Sequence, residues 1–364
     1  MAPSAEQTLP EPSVRRVLVS RFSAFGDVAM TIPVLYSVCR CYPAVQFVMV
    51  TRPAMTSMFV LPPENLTVVG VDLKTEYAGI GGIRRLCAML VRKYRPDVYV
   101  DLHNVLRTRL MAFFLRLHGV PSTRIYKARA NRRALTRDTN KVMLPLTSQR
   151  ARYREAFFKA GLPTVEKFNG LFDGLRKAPA DGFSHLTGDR RPGEKWLGVA
   201  PFAAHAGKIY PPEKMRRVLE LVLAHPGVRV FLFGGGERER KVLDGWQNEL
   251  EGVTSLAGLK LGFATELALM NHLDAMVSMD SANMHLASIA GTPVLSVWGA
   301  THPYCGFKPW RNTDDDMIQL PVECRPCSVF GDKPCHRGDY LCLNAITPEL
   351  IAGKILRKLD IKTK

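Results

Sequence analysis

The stretch VSMDSANMHLASIAGTPVLSVWG, residues 277–299, decides the fold. Its apolar ends read as buried strands. Between them lies a helix of small residues that opens on an acid and a hydroxyl. A strand that feeds a helix and then a second strand is the repeating unit of a parallel sheet. Asp280, Ser281, Asn283 and His285 crowd the strand-to-helix turn. A helix cap, worth about 1 kcal/mol, needs only one of them. Ligands of open α/β sheets sit at the carboxyl ends of strands, and a helix N-terminus offers free N–H groups to an anion. The set therefore reads as an anion site formed by the backbone of Ser281, Ala282, Asn283 and Met284.

Outward from this stretch the alternation continues. In the first half, RVLVS, VQFVMVT, LTVVGVDL, DVYVDLH and TRIYKA read as strands. The helices between them are one from Asp27 to about Cys41, GGIRRLCAMLVRKYRP, and VLRTRLMAFFLRLHG closed by Gly119. In the second half, KWLGVAPFA, VRVFLFGGG, AMVSMD and PVLSVWG are strands, and PPEKMRRVLELVLAHPG, ERERKVLDGWQNEL and TELALMNHLD are helices. The fold class is α/β, with two doubly wound parallel sheets in tandem. The expected division is a disordered tail at 1–13, a first domain at 14–180, a Gly/Pro-rich linker at 181–195, a second domain at 196–345 and a terminal helix at 346–364. Residues 124–148 break the alternation and suggest a mobile basic loop over a site.

A chain of 364 residues accommodates two such domains. With 46% hydrophobic and 23% charged residues it has an ordinary globular composition. No apolar run approaches the roughly 18 residues of a membrane span, and the first fourteen residues show no signal-peptide pattern, so the expectation is a cytoplasmic protein. The formal net charge is +17. That excess favours an anionic partner: nucleic acid, a membrane surface or a phosphorylated substrate. The basic stretches lack interleaved aromatics and no nucleic-acid motif occurs, which argues against nucleic acid.

Three further positions lie at strand ends. Gly234, Gly235 and Gly236 end one strand ahead of a helix. Alone they read as a tight turn. Neither G-x-G-x-x-G nor G-x-x-x-x-G-K-[ST] is present, which excludes the usual dinucleotide and P-loop sites. Lys208, in VAPFAAHAGKIYPPEKM, precedes a Pro-started helix and is placed to meet a phosphate. Asp27, in FSAFGDV, holds the equivalent strand end of the first domain; its simplest role is helix capping.

Taken together, RVLVSRFSAFGDVAMTIPVLYSVCRCYP, RPDVYVDLHNVLRTRL, APFAAHAGKIYPPEKM, FLFGGGERER and MVSMDSANMHLASIAGTPVLSVWGATHP resemble glycosyltransferase family 9, the ADP-heptose:lipopolysaccharide heptosyltransferases. The similarity spans roughly residues 14–355. It implies a GT-B architecture, two Rossmann-like domains facing a cleft. The donor, ADP-heptose, belongs to the C-terminal domain, and a lipid A–core acceptor to the N-terminal one. Transfer would proceed with inversion and without a catalytic metal, at the cytoplasmic face of the inner membrane, to which the protein would bind peripherally. Asp27 would be the general base and Lys208 would neutralise the departing diphosphate. The backbone of Ser281 to Met284 would hold the phosphates, with His285 one turn further on, and Asp280 would hold sugar hydroxyls. Gly234 to Gly236 would admit the nucleotide, and Glu237 or Glu239 its ribose. Arg107, Arg109, Lys127 and Arg129 are the candidate acceptor contacts. Ala282 replaces a frequent Gly, Tyr210 a frequent Trp, and Ala203 and Ala204 replace Thr residues of some relatives, so another nucleotide sugar stays open as donor. Outside this reading stand a nucleotide-sugar epimerase and a non-catalytic binder of polyanions or membrane surfaces.

Of eight cysteines, Cys39, Cys41 and Cys87 read as buried small residues and Cys305 stands alone. Cys324, Cys327, Cys335 and Cys342 form C-x2-C-x7-C-x6-C. The spacing suggests a structural zinc on four thiolates, with His336 as a rival ligand. Two disulfides or free thiols are the alternatives. Either way the loop reads as structural.

Overall fold

The computed structural model describes residues 11–173, 175 and 177–361. Most of the tail expected at 1–13 lies outside the described residues. The chain divides into two compact units, one of Met1–Lys127 with Gln149–Asn169, the other of Ala128–Ser148 with Gly170–Lys364.

The first unit carries β1 (Arg16–Ser20), α1 (Phe25–Ala29), α2 (Thr31–Cys41), β2 (Gln46–Thr51), β3 (Leu66–Gly70), α3 (Gly79–Tyr94), β4 (Val98–Asp101), α4 (Leu106–Leu117) and β5 (Ser122–Arg124). Its sheet is parallel in the order β3-β2-β1-β4-β5. The single helix expected from Asp27 is two, broken at Met30. The strand expected at TRIYKA is three residues long and starts one residue earlier. β1 is central, which explains its near-continuous burial from Val17 to Ser20. Gly119, at φ +78, ends the turn after α4 where a side chain would be strained.

The segment expected as a mobile loop contains a helix, α5 (Arg129–Leu135), and belongs to the second unit. Its attachments are specific. Lys141 Nζ donates to the carbonyls of Cys324 at 2.6 Å and Pro326 at 3.2 Å, and the Leu146 N–H donates to Tyr304 O. The chain returns to the first unit with α6 (Gln149–Phe158). For that reason the division does not fall at 181–195, which holds a short helix, α7 (Ser184–Thr187), within the second unit.

The second unit continues with β6 (Lys195–Ala200), α8 (Pro212–Leu223), β7 (Val228–Leu232), α9 (Glu237–Glu249), β8 (Val253–Ser255), α10 (Gly262–His272), β9 (Ala275–Met279), α11 (Ala282–Ala290), β10 (Val294–Val297), β11 (Met317–Ile318), α12 (Leu341–Asn344) and α13 (Pro348–Lys358). The sheet order is β11-β10-β9-β6-β7-β8, again all parallel. The strands β8 and β11 are additions to the sequence reading. α8 shows why these helices form: Met215, Val218, Leu219 and Val222 recur at i, i+3, i+4 and i+7 and are fully buried. Leu219→Ala would cost about 2–5 kcal/mol. Among the described residues no helix is long and apolar enough to cross a membrane.

Candidate functional site

In the second unit the parallel order places the ends of β6, β9 and β10 side by side. Lys208 ends a 3-10 turn that follows β6 (Ala206–Lys208), and Asp280 follows β9 directly. Lys208 Nζ lies 3.3 Å from Asp280 Oδ2, with side-chain exposures of 14% and 6%. The same oxygen accepts a 2.8 Å hydrogen bond from Thr301 Oγ1. Asp280 is therefore committed to a cation and a hydroxyl rather than to helix capping. Ser281 is the N-cap of α11 by backbone position, yet its side chain makes no cap bond; it meets Ser278 Oγ at 3.2 Å instead. The N–H groups of the first turn of α11 stay available, and residues 281–283 are half-buried while Met284 and His285 are buried. The corner offers the N–H groups of a helix N-terminus beside a lysine whose charge is balanced by Asp280.

The glycines stand at the end of β7. A Cβ on Gly234 would lie 2.6 Å from Leu243 Cδ1, so α9 packs close against this glycine. The two acids left open by sequence separate. Glu237 is exposed and paired with Arg240 at 2.8 Å. Glu239 turns inward and accepts the Gly235 N–H at 2.8 Å. Glu239 also borders a cavity of about 470 Å³, together with Arg238, Phe202, Ile209, Val242 and Tyr340. Ala203 and Ala204 lie on the same cavity. Tyr210 is fully buried and donates its hydroxyl to Ile346 O at 2.9 Å.

In the first unit Asp27 sits in the first turn of α1, its Oδ2 accepting the Ala24 N–H at 3.2 Å. Arg21, 7% exposed, reaches the same oxygen at 2.5 Å and donates to Leu102 O. Oδ1 has no hydrogen-bond partner among the described residues, so half of the carboxylate remains open. His103 shares a 3.2 Å hydrogen bond with Ser23 Oγ. Burial, aided by Arg21, Lys127 and Arg52, holds the pKa of His103 down at about 3, so the imidazole is neutral. Asp101, raised by burial, fixes this corner by accepting the N–H groups of His103 and Asn104. Asn104 Oδ1 in turn accepts from Arg109 Nε at 2.9 Å. Arg107 and Arg109 are exposed and Lys127 is half-buried in the first unit, whereas Arg129 opens α5 of the second unit. The four do not fall in one unit.

Sequence reasoning missed Arg21, Ser23, His103, Thr301 and Arg325. The nearest signal was the R-F-S-A-F-G-D run, which holds the first two beside Asp27. The four-cysteine spacing did not lead to a formed metal cage. All eight cysteines are free thiols, and no three His, Cys, Asp or Glu side chains among the described residues are arranged to hold a metal. Burial pushes the Cys327 thiol up to about 12 and the Cys342 thiol up to about 11.

The family model described as glycosyltransferase family 9 (heptosyltransferase) matches residues 84–335, more than half of the chain. Lipopolysaccharide heptosyltransferase 1 of Pseudomonas aeruginosa is 25% identical over 93% of this chain and 97% of its own. Lipopolysaccharide heptosyltransferase 3 of Escherichia coli is 30% identical over a shorter stretch, 35% of this chain and 37% of its own. The solved structure of the Escherichia coli ADP-heptose lipopolysaccharide heptosyltransferase II superposes with a TM-score of 0.66 at 18% identity, covering 94% of this chain and 98% of that one. That last likeness speaks for a GT-B fold.

Proposed function

The chain belongs to glycosyltransferase family 9 and is a glycosyltransferase, and we propose that it transfers a heptose from ADP-heptose to a lipopolysaccharide inner-core acceptor with inversion. The observation that carries the donor half is the Lys208–Asp280 pair set beside the open first turn of α11. An acceptor hydroxyl attacks the anomeric carbon from the face opposite the diphosphate. Asp27 takes its proton through the open Oδ1, while Arg21 holds the other oxygen. As the bond from anomeric carbon to diphosphate oxygen breaks, negative charge grows on the phosphate. Lys208 and the N–H groups of Ala282 to Met284 face that charge, already in place before the reaction. The cation that a divalent metal supplies in many sugar transfers is here a lysine, so the proposed reaction runs without one.

Asp280 would take sugar hydroxyls, and Glu239, the inward-facing acid, the ribose. Basic residues of the first unit, Arg107, Arg109 and Lys127, suit an acceptor that carries phosphates and carboxylates. Work at the cytoplasmic face of the membrane, with peripheral attachment through such charges, belongs to the same proposal. A metal at the cysteine loop would serve that loop and not the transfer step. Calorimetric titration with ADP-heptose, ADP, UDP and GDP tests the reading. Selective binding of ADP-heptose and ADP, weakened in Lys208→Ala, is the expected result. Binding of UDP or GDP instead changes the donor, and unchanged binding in Lys208→Ala sinks the site assignment.

A further inference from the structure

We propose that the cysteine-rich loop is a positioning part of the donor site, in which Gly331 sets the lysine of the Lys208–Asp280 pair and Arg325 sets the partner of its aspartate. This rests on the reading of Lys208 as the diphosphate ligand.

Consider the lysine first. A Cβ built on Gly331 would lie 2.5 Å from Lys208 Cγ, 2.8 Å from Cδ and 3.6 Å from Cε. The loop backbone therefore lies flat along the lysine stem, and any side chain at 331 would displace it. Gly331 is held in place by its own turn. Its N–H donates to Ser328 Oγ at 3.0 Å, the Phe330 N–H donates to the same oxygen at 3.1 Å, and Ser328 Oγ donates to the Asp332 carboxylate. Gly207, beside Lys208, is packed as tightly: its Cβ would stand 2.9 Å from Ala300 Cβ and 3.3 Å from Gly331 O. Ala300 joins the two layers, donating to Gly207 O at 2.7 Å and accepting from the Cys327 N–H at 2.9 Å. The lysine emerges from between two close-packed backbone layers, one of which is the cysteine-rich loop.

Now the aspartate. Arg325 is 3% exposed and donates to the carbonyls of Gly299, Leu320 and Thr301, the last at 2.8 Å. Thr301 Oγ1 is the second donor to Asp280 Oδ2. One short segment thus braces both members of the pair that would face the diphosphate. A charge fixed before the reaction needs no reorganisation when the leaving group departs, and this is the term that such bracing protects. The same loop also walls the neighbouring cavity through Tyr340, with Leu343 and Asn344 of the helix that follows it.

The test uses two glycines of one loop. Gly331 has φ +76 and Gly338 φ +78, so alanine strains the backbone equally at both. Only at 331 does the new carbon meet Lys208; at 338 nothing lies within 4 Å. The full-length protein is compared as wild type, Gly331→Ala and Gly338→Ala, each also with Lys208→Ala. ADP affinity is read by calorimetry and transfer by kcat and KM for the donor. We expect Gly331→Ala to weaken ADP by about tenfold or more and Gly338→Ala by about twofold or less, with Gly331→Ala adding almost nothing once Lys208 is gone, as coupled neighbours do. Equal losses in the two glycine variants overturn the proposal, as does a Gly331→Ala loss that persists in full without Lys208. If Lys208→Ala alone leaves ADP binding intact, the donor-site reading falls, and this inference with it. Should Gly331→Ala fail to fold, Ser328→Ala loosens the same turn without adding an atom; unchanged donor KM in that variant equally overturns the proposal.

Discussion

Each unit places an acid that meets a cation where a central strand gives way to a helix, yet the two corners are built for opposite tasks. In the first, Arg21 grips one oxygen of Asp27 and leaves the other open, with the side chain 20% exposed. In the second, Lys208 and Thr301 share one oxygen of an aspartate that is almost sealed. The first corner offers a carboxylate oxygen. The second offers a cation and the N–H groups of a helix whose N-cap side chain leaves them alone. The difference teaches that an acid at a strand-to-helix junction is not one motif. What pairs with it, and which oxygen is left over, decides whether the corner takes a proton or holds an anion.

The largest expected effect would break this comparison if it went wrong. Asp27→Asn keeps the shape and removes the base, so turnover should fall by about 10²–10⁴-fold while ADP affinity stays within about twofold. A matching loss of ADP binding would mean that the two corners are not separate in function. Next, Lys208→Ala should lower kcat/KM by about 10²–10³-fold and weaken ADP. Glu239→Gln and Glu237→Gln sharpen the second corner on a smaller scale. The first should raise the donor KM several-fold, and the second, an exposed helix pair, should leave both the donor KM and the melting temperature essentially unchanged.

The smallest expected effect concerns pH. His103 has a folded pKa of about 3, below the unfolded value near 6.5. The unfolded chain then binds the extra proton across that window, so His103 favours the fold above pH 6.5 and this contribution is lost as pH falls towards 3. Thermal melts of His103→Gln should therefore show a shallower loss of stability between pH 6.5 and 4 than wild type. A steeper loss would reverse the assignment of a neutral imidazole.

The alternation of strand and helix was legible because each buried strand of a parallel sheet is an apolar run with glycine, proline or polar residues at its ends. β8 and β11 escaped because three and two residues carry no period. Asp27, Lys208 and Asp280 were legible as polar residues at strand-to-helix junctions. Their partners were not. Thr301 meets Asp280 across 21 positions, and Gly331 touches Lys208 from a loop that spacing alone marked as a metal ligand set. Cysteine spacing reports which residues are close in the chain. It carries no information on which backbone a turn will lie against. The basic run at 124–148 misled for a related reason: polar composition suggested a loop, while the bonds that pin it come from residues near 304 and 324.

The path of the chain between the units has a consequence for synthesis. The first unit is interrupted by 128–148 and regains its last helix only after residue 148. On the ribosome its sheet is made early, but it must wait for α6 while a basic segment that belongs elsewhere is threaded past. That segment then waits far longer, because Lys141 bonds to a carbonyl 183 positions downstream. Neither half can be made alone by a single cut in the gene, and any gene fusion or split-protein design for this enzyme has to respect three crossings instead of one.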